Sequence, residues 1–235
     1  DADTDVYIGT MEENETGIYR LDNLPAFGYF LYEAEAPEGF VKDNGYHYFE
    51  ITANGETVQV SNDGGEGFSN QRITGTAAVK KVDASNSDIT LTGAIFDVYE
   101  DTDADGVYTE GVDMLIGEME ETETGVYQIG NLVFGIYFLH ERQAPDSFIR
   151  DDRYYAFVID TNGKTVWIEN EAGVGFTNQP ETPDTPEEEP DRPNVSENPD
   201  TGDRGISIWW FVPVGAAAAA LIIFAVVRKK HNNKK

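Results

Sequence analysis

Three polar residues, Lys81, Glu141 and Asn178, lie on the apolar faces of predicted strands, because side chains alternate between the two faces of a strand. Burial disfavours the charged form, so it lowers the pKa of a lysine and raises that of a glutamate. A neutral amine is a nucleophile, and a protonated carboxyl can polarise an amide carbonyl. The set could therefore join the Lys81 amine to the Asn178 side chain and expel ammonia. An ordinary ion pair is the alternative, and face alternation favours Lys81 over its neighbour Lys80.

The segments around these residues are typical of an all-β domain. Short runs rich in β-branched and aromatic residues recur at 94–99, 136–139 and 155–159. Asn162-Gly163 lies between two such runs and predicts a tight hairpin. About seven short strands in a domain of this length favour a β-sandwich.

The chain also contains an internal repeat with a constant offset of 108 residues. Residues 29–33 match 137–141, and residues 67–70 match 175–178. Glu33 and Asn70 therefore correspond to Glu141 and Asn178. The second copy extends further upstream than the first. We expect residues 1–72 to be a partial domain whose lysine lies before residue 1, and residues 74–179 to be a complete domain.

Several motifs of the second copy resemble those of a known family. Residues 81–83, followed by 91–99, are similar to the opening of a Cna protein B-type domain, the SpaA-type pilin module. Residues 137–145 resemble its E-box, and 176–178 resemble its closing strand. The resemblance implies tandem transthyretin-like (prealbumin-like) β-sandwiches. It also implies an autocatalytic isopeptide bond, with Lys81 as nucleophile, Asn178 as acceptor and Glu141 as proton relay. Glu33 and Asn70 take the same roles in the first copy.

An acidic loop at 101–113 is a second candidate site. Asp101, Asp103 and Asp105 precede Gly106, which is the spacing of the first half of an EF-hand calcium loop. The glutamate expected at loop position 12 is absent, and Asp113 follows one residue later. These four aspartates are candidate calcium ligands, and the alternative is a solvated acidic loop. The sequence indicates no required cofactor.

The composition excludes some classes of function. Asp and Glu number 44 against 16 Lys and Arg, so the formal net charge of −28 argues against nucleic acid as a partner. Cysteine is absent, so any covalent staple must use other chemistry than a disulfide. We find no catalytic triad, metal-binding histidine spacing or phosphate loop, and we expect no enzyme beyond single-turnover bond formation.

The C-terminal part combines three signals in a fixed order. Asn198-Pro199-Asp200-Thr201-Gly202 precedes an uncharged apolar run at 206–227, and a basic tail follows at 228–235. A helix over that run would be about 33 Å long, enough to cross a membrane, with the basic tail in the cytoplasm. This order resembles the cell-wall sorting signal of Gram-positive surface proteins.

In that family, sortase cuts between Thr and Gly, here Thr201 and Gly202, and joins the threonine to peptidoglycan. The commonest motif begins with Leu, so Asn198 leaves the sortase class open, and a plain membrane anchor is the alternative. Residues 180–197 are rich in Pro and Glu, and we expect a disordered linker that spans the wall before the sorting signal at 198–235.

These features predict a sortase-anchored structural or adhesion stalk on the extracellular face of a Gram-positive cell wall. Its expected partners are sortase, peptidoglycan, the membrane before sorting and an unidentified extracellular ligand. Two other functions stay open: a basal or minor pilus subunit, and the spacer region of a wall-bound enzyme with an upstream catalytic domain. No secretory signal begins the sequence, so we expect that residue 1 is not the natural start.

Overall fold

The computed structural model describes residues 5–65, 67–182 and 220–225. Their regular secondary structure consists entirely of β-strands, which confirms the predicted mainly β fold class. The first copy contributes β1 (Val6–Thr10), β2 (Glu12–Glu15), β3 (Ile18–Arg20), β4 (Gly28–Glu35), β5 (Phe40–Val41), β6 (Tyr46–Glu50) and β7 (Gln71–Arg72).

The second copy begins with the longest strand of this region and ends with a short one that pairs with it. Its strands are β8 (Thr74–Asp83), β9 (Asn86–Thr90), β10 (Ile95–Glu100), β11 (Met114–Glu118), β12 (Glu120–Glu123), β13 (Val126–Val133), β14 (Gly135–Gln143), β15 (Tyr154–Ile159), β16 (Thr165–Trp167) and β17 (Phe176–Asn178). One sheet has the order β11-β10-β14-β15. The other has the order β12-β13-β8-β16, and β9 and β17 also pair with β8.

The two sheets of the second copy enclose one apolar core, as expected for a β-sandwich. Side chains from alternate positions of β8, β10 and β14 meet in it, together with β13, β15 and the closing strand. The most deeply buried large side chains of this core include Phe96, Tyr127, Tyr137, Leu139 and Phe176. The polar residues of the candidate site lie on this same buried side.

The predicted hairpin at Asn162-Gly163 is wrong, although a turn does form there. Gly163 adopts a left-handed φ of 74°, as such a turn requires. The strand before it, β15, pairs with β14, whereas the strand after it, β16, runs parallel to β8 in the other sheet. The turn therefore carries the chain between the two sheets. It also caps β8, since Gly163 donates its amide to the carbonyl of Thr74 at 2.7 Å.

Six residues of the predicted membrane helix are also described, and they form a strand, β18 (Ala220–Ala225), between β1 and β4. The prediction of a helix over 206–227 therefore does not hold for these six. The register of β18 copies that of β10: position 221 pairs with Glu33, just as Phe96 pairs with Glu141. Because β18 pairs with β1 on one side and with β4 on the other, it satisfies backbone groups of both strands.

The remainder of the C-terminal part lies outside the described residues. This applies to the helix prediction at 206–219 and 226–227, to most of the predicted linker and to the motif at 198–202. Within the described part of the chain, no helix has the length and apolar character needed to cross a membrane.

Candidate functional site

Lys81 is fully buried in the middle of the second sandwich. It lies on β8, where its neighbour Lys80 is exposed and its own side chain is 0% accessible to solvent. The burial of Lys81 and the exposure of Lys80 agree with the predicted faces, although Ala78 and Val82, which share the face of Lys80, are buried as well. The Lys81 Nζ donates a hydrogen bond to the carbonyl of Phe176 at 3.1 Å and lies 5.4 Å from the centre of that residue's ring. The amine thus reaches the closing strand, β17.

Glu141 lies between the amine and the asparagine. It is on β14 and is also 0% exposed. Its Oε1 is 3.7 Å from the Lys81 Nζ, and its Oε2 accepts a hydrogen bond from the Asn178 Nδ2 at 2.8 Å. The main-chain amide of Asp151 donates to the same Oε2 at 2.9 Å. One carboxyl group therefore contacts both residues of the proposed bond.

The environment shifts both ionisable groups toward their neutral forms. Desolvation lowers the pKa of Lys81 to about 8, although the neighbouring Glu141 carboxylate opposes this shift. Desolvation also raises the pKa of Glu141, against the hydrogen bond from the Asp151 amide and the charge of Lys81. Each shift has the direction predicted from burial. The pair therefore approaches the state of free amine and protonated acid that an attack on an amide requires.

Asn178 completes the site. It is 3% exposed, and its Oδ1 has no hydrogen-bond partner among the described residues. The Glu141 Oε1 is likewise without a hydrogen-bond donor in that part of the chain. The two ends of an asparagine amide are assigned from the hydrogen-bond network, so rotating the amide would place its oxygen on the Glu141 carboxyl. A protonated Glu141 would then donate to the carbonyl that the amine attacks.

A polar network that the sequence analysis missed holds the closing strand. Asn170 accepts a hydrogen bond from the amide of Thr177 at 2.6 Å and donates one to its carbonyl at 2.8 Å. Asn170 also donates to the Asp151 Oδ2 at 3.0 Å, and the Tyr155 hydroxyl donates to the same oxygen at 2.6 Å. This Asp151–Asn170 clamp links the loop that supports Glu141 to the residue before Asn178.

The repeat carried a signal for this clamp. At the offset of 108, Asn62 corresponds to Asn170 and makes the same two backbone bonds to Ser69, at 2.9 and 2.7 Å. Asn62 also donates to the carboxylate of Asp43 at 2.9 Å. Two hydrogen-bonded polar residues per copy, equally spaced, could have been found by comparing the copies residue by residue.

The first copy contains the acidic and amide halves of the site. Glu33 is 1% exposed, and its Oε2 accepts hydrogen bonds from the Asn70 Nδ2 at 2.8 Å and from the Asp43 amide at 2.7 Å. This geometry matches that around Glu141. Among the described residues, no lysine forms an ion pair with Glu33.

The structure brings together three of the four predicted calcium ligands. One oxygen from each of Asp101, Asp103 and Asp105 lies within 4.8 Å of the others. Asp113 is not part of this group, because its two carboxylate oxygens accept the amides of Thr102 at 3.1 Å and Thr109 at 2.7 Å. Asp113 thus closes the loop rather than facing the other three carboxylates.

Comparison with known proteins agrees with the sandwich fold. The structure of the Bacillus anthracis TIE protein is 21% identical, with a TM-score of 0.53, over 75% of this chain and 31% of that chain. The minor pilin GBS52 of Streptococcus agalactiae is 18% identical, with a TM-score of 0.33, over 74% of this chain and 87% of its own. The SpaB basal pilin from Lactobacillus rhamnosus GG is 16% identical, with a TM-score of 0.32, over 46% and 96%.

The likeness to the TIE protein concerns the fold alone, and the two pilin matches are too distant to support any conclusion. The chain spans under a third of the TIE protein. No curated protein matches it. A family model described as SpaA, prealbumin-like fold domain, matches residues 1–64 and 75–172, which is more than half of the chain. Both copies of the repeat therefore belong to the SpaA family of prealbumin-like fold domains.

Proposed function

We propose that this protein is a structural stalk on the surface of a Gram-positive bacterium, and that a Lys81–Asn178 isopeptide bond locks its second domain. The observation that supports the bond best is the burial of Lys81, Glu141 and Asn178 in one contact group inside an apolar core. A buried lysine and glutamate are costly in such a place unless they are neutralised or paired.

The proposed reaction is a transamidation that Glu141 assists. The neutral Lys81 Nζ attacks the Asn178 Cγ, while Glu141 donates its proton to the carbonyl oxygen. The tetrahedral intermediate returns that proton, the amine proton passes through Glu141 to the leaving Nδ2, and ammonia departs. The Nζ–Cγ bond forms, the Cγ–Nδ2 bond breaks, and Glu141 ends in its starting state. No oxidation or reduction takes place, so no co-reactant is needed.

The released ammonia would leave beside a cavity that is open to solvent. An open cavity of about 350 Å³ lies beside Asn178 and is also lined by Asp151, Arg153 and Asn170. Loss of ammonia to bulk water makes the reaction effectively irreversible at low ammonia concentration.

The position of the bond suits a protein that bears load. It would join β8, the first strand of the second domain, to β17, the last, which already lie side by side in parallel. A force applied to the two ends of the domain would then act on a covalent bond instead of on strand hydrogen bonds. The chain has no cysteine, so this bond would take the part that a disulfide has in other exported domains.

Intact-mass spectrometry of the full chain tests the bond. The wild type should be lighter than its sequence by one ammonia, and a digest should contain a branched peptide that joins Lys81 to Asn178. Glu141→Ala and Lys81→Ala should both restore the sequence mass. Lys80→Ala is the matched control, since it removes an exposed lysine from the same strand, and it should leave the bond intact. A wild-type mass equal to that of the sequence refutes the bond.

Wall anchoring is the second part of the proposal, and it depends on the sequence alone. If Asn198 to Gly202 form a sortase substrate, the wild type should leave cells after peptidoglycan digestion and not with detergent. Thr201→Ala should move the protein into the membrane fraction. Release of the wild type by detergent alone would indicate a plain membrane anchor.

Membership of the SpaA family favours a second candidate function, that of a pilus subunit. The two candidates differ on a denaturing gel of wall extracts. A stalk should run as one species, whereas a polymerised subunit should give a ladder of covalent multimers.

A further inference from the structure

The loop between β10 and β11 gathers negative charge without a cationic side chain of its own. Residues 101–113 include five acidic residues and neither lysine nor arginine. The oxygens of Asp101, Asp103 and Asp105 come within 4.8 Å of one another. Three carboxylates this close together repel one another in the absence of a counter-charge.

Asp101 supplies a second, independent indication of a ligand. Its side chain is only 7% exposed, and its Oδ2 accepts a hydrogen bond from the amide of Gly106 at 2.9 Å. Its Oδ1 is buried and has no partner among the described residues. A buried carboxylate oxygen without a partner is rare in native proteins, and its presence requires an explanation such as a bound ion. The two neighbouring carboxylates lie beside this residue.

The backbone of the loop is already held in place by other contacts. Asp113 accepts the amides of Thr102 and Thr109 and so closes the loop at its base. Ala104 and Gly106 have left-handed φ values of 56° and 76°, which turn the chain sharply on either side of Asp105. A cation would therefore not have to order this backbone itself.

The donor set indicates the kind of ion. All the candidate ligand atoms are carboxylate oxygens, which are the ligands that hard divalent cations prefer. Calcium accepts irregular sites with six to eight oxygens, whereas magnesium requires a nearly octahedral site. Three aspartates at alternate positions, completed by water or a main-chain carbonyl, suit calcium better. We propose that Asp101, Asp103 and Asp105 form a calcium site in the second domain.

The site would connect the loop to an aromatic cluster on the sheet. Tyr108, three residues after Asp105, stacks on Tyr154 with a centroid distance of 3.7 Å and an interplanar angle of 9°. Its ring also contacts that of Tyr99, at a centroid distance of 5.1 Å. A bound calcium ion would hold the loop, and Tyr108 with it, against β10 and β15. Tyr108 also provides a probe, because a tyrosine near a terbium ion sensitises its luminescence.

Terbium luminescence of the full chain tests the proposal. Excitation of tyrosine should give saturable terbium emission, and calcium should displace the terbium at a lower concentration than magnesium does. Asp101→Asn and Asp103→Asn should each weaken terbium binding at least tenfold. Asp88→Asn is the matched control, since it removes one exposed carboxylate outside the loop, and it should bind as the wild type does. Tyr108→Phe should lose most of the emission but keep calcium binding by calorimetry.

Three results would overturn the proposal. One is the absence of saturable emission from the wild type. Another is equal binding by the wild type and Asp103→Asn, a substitution of an exposed residue that is expected to fold normally. The third is displacement by magnesium at the same or a lower concentration than calcium, which would contradict the assignment to calcium.

Discussion

Replacing Asn178 by alanine removes the acceptor of the proposed bond and leaves Lys81 and Glu141 in place. The bond would close a loop from residue 81 to residue 178. On the chain-entropy account of cross-links, a loop of about 100 residues removes about 4.7 kcal/mol of unfolded-state freedom. The hydrogen bond from the Asn178 Nδ2 to Glu141 does not enter this comparison, because the cross-linked wild type has already lost that nitrogen as ammonia. The variant should therefore be less stable than the wild type by roughly 5 kcal/mol.

Calorimetry of the full chain measures this difference. A change of 1 kcal/mol shifts the melting temperature of a domain of this size by about 4–8 °C, so the second domain of Asn178→Ala should melt at least about 20 °C lower. Mass spectrometry of the same samples should show the bond in the wild type alone.

The first copy offers a matched control for this experiment. Asn70 donates to Glu33 at 2.8 Å, as Asn178 does to Glu141. Asn70→Ala thus removes the same hydrogen bond where no lysine pairs with the carboxylate in the described structure. It should leave the transition of the second domain unchanged. If the wild type carries the bond and yet melts within 5 °C of Asn178→Ala, the entropic argument is wrong.

Three further predictions concern the surroundings of the site. Asn170→Ala removes three hydrogen bonds that hold the closing strand and should slow the loss of ammonia. Asn170→Asp keeps an acceptor for the Thr177 amide and should slow the loss of ammonia less, and mass spectrometry over time after refolding measures both rates. In the fold, desolvation lowers the pKa of the unbonded Lys81 to about 8, against about 10.4 in an unfolded chain, and Asn178→Ala should keep the lysine unbonded and buried. The unfolded state then binds the additional proton, so the free energy of unfolding of this variant should rise from about pH 8 to about pH 10; denaturant titration should show this rise and should show none after a further Lys81→Met change. Gly175→Ala should destabilise the second domain by roughly 2 kcal/mol or more, because the φ of Gly175 is 127° and an added Cβ would lie 2.7 Å from a main-chain oxygen. In Gly173→Ala the added Cβ meets no atom, so this variant should lose only about 1 kcal/mol, the strain of a left-handed residue.

The site was partly predictable because its signal is local. Lys81 and Lys80 are adjacent, and only the period-2 pattern of β8 separates them, yet that pattern assigned the right one to the buried face. The offset of the repeat then identified Glu33 and Asn70 as counterparts. The Asp151–Asn170 clamp was missed because both residues lie outside the strands, where no periodic pattern distinguishes a structural polar residue from a solvated one.

The acidic loop and the C-terminal segment show a different limit. In the sequence, Asp113 and Asp101 are equally good candidate ligands. Only the folded loop shows that Asp113 accepts main-chain amides, whereas Asp101 accepts one amide with its Oδ2 and leaves its Oδ1 without a partner among the described residues. Residues 220–225 were predicted to be helical because they belong to a long uncharged apolar run, but an apolar run without a distinctive period does not exclude a strand. Their partner strands, β1 and β4, decided the outcome.

By itself, the sequence determined the two copies, through their constant offset of 108 residues. It also determined the all-β class and the burial of Lys81, Glu141 and Asn178, because these depend on the alternation of side chains along a single strand. Only the tertiary structure decided which strands pair, that β16 and β17 both lie parallel to β8, and that Asn162-Gly163 connects two sheets instead of forming a hairpin. The physical reason is that strand pairing satisfies backbone groups distant in sequence. A pattern within one strand shows which face is buried, but it carries no information on which neighbour completes its hydrogen bonds.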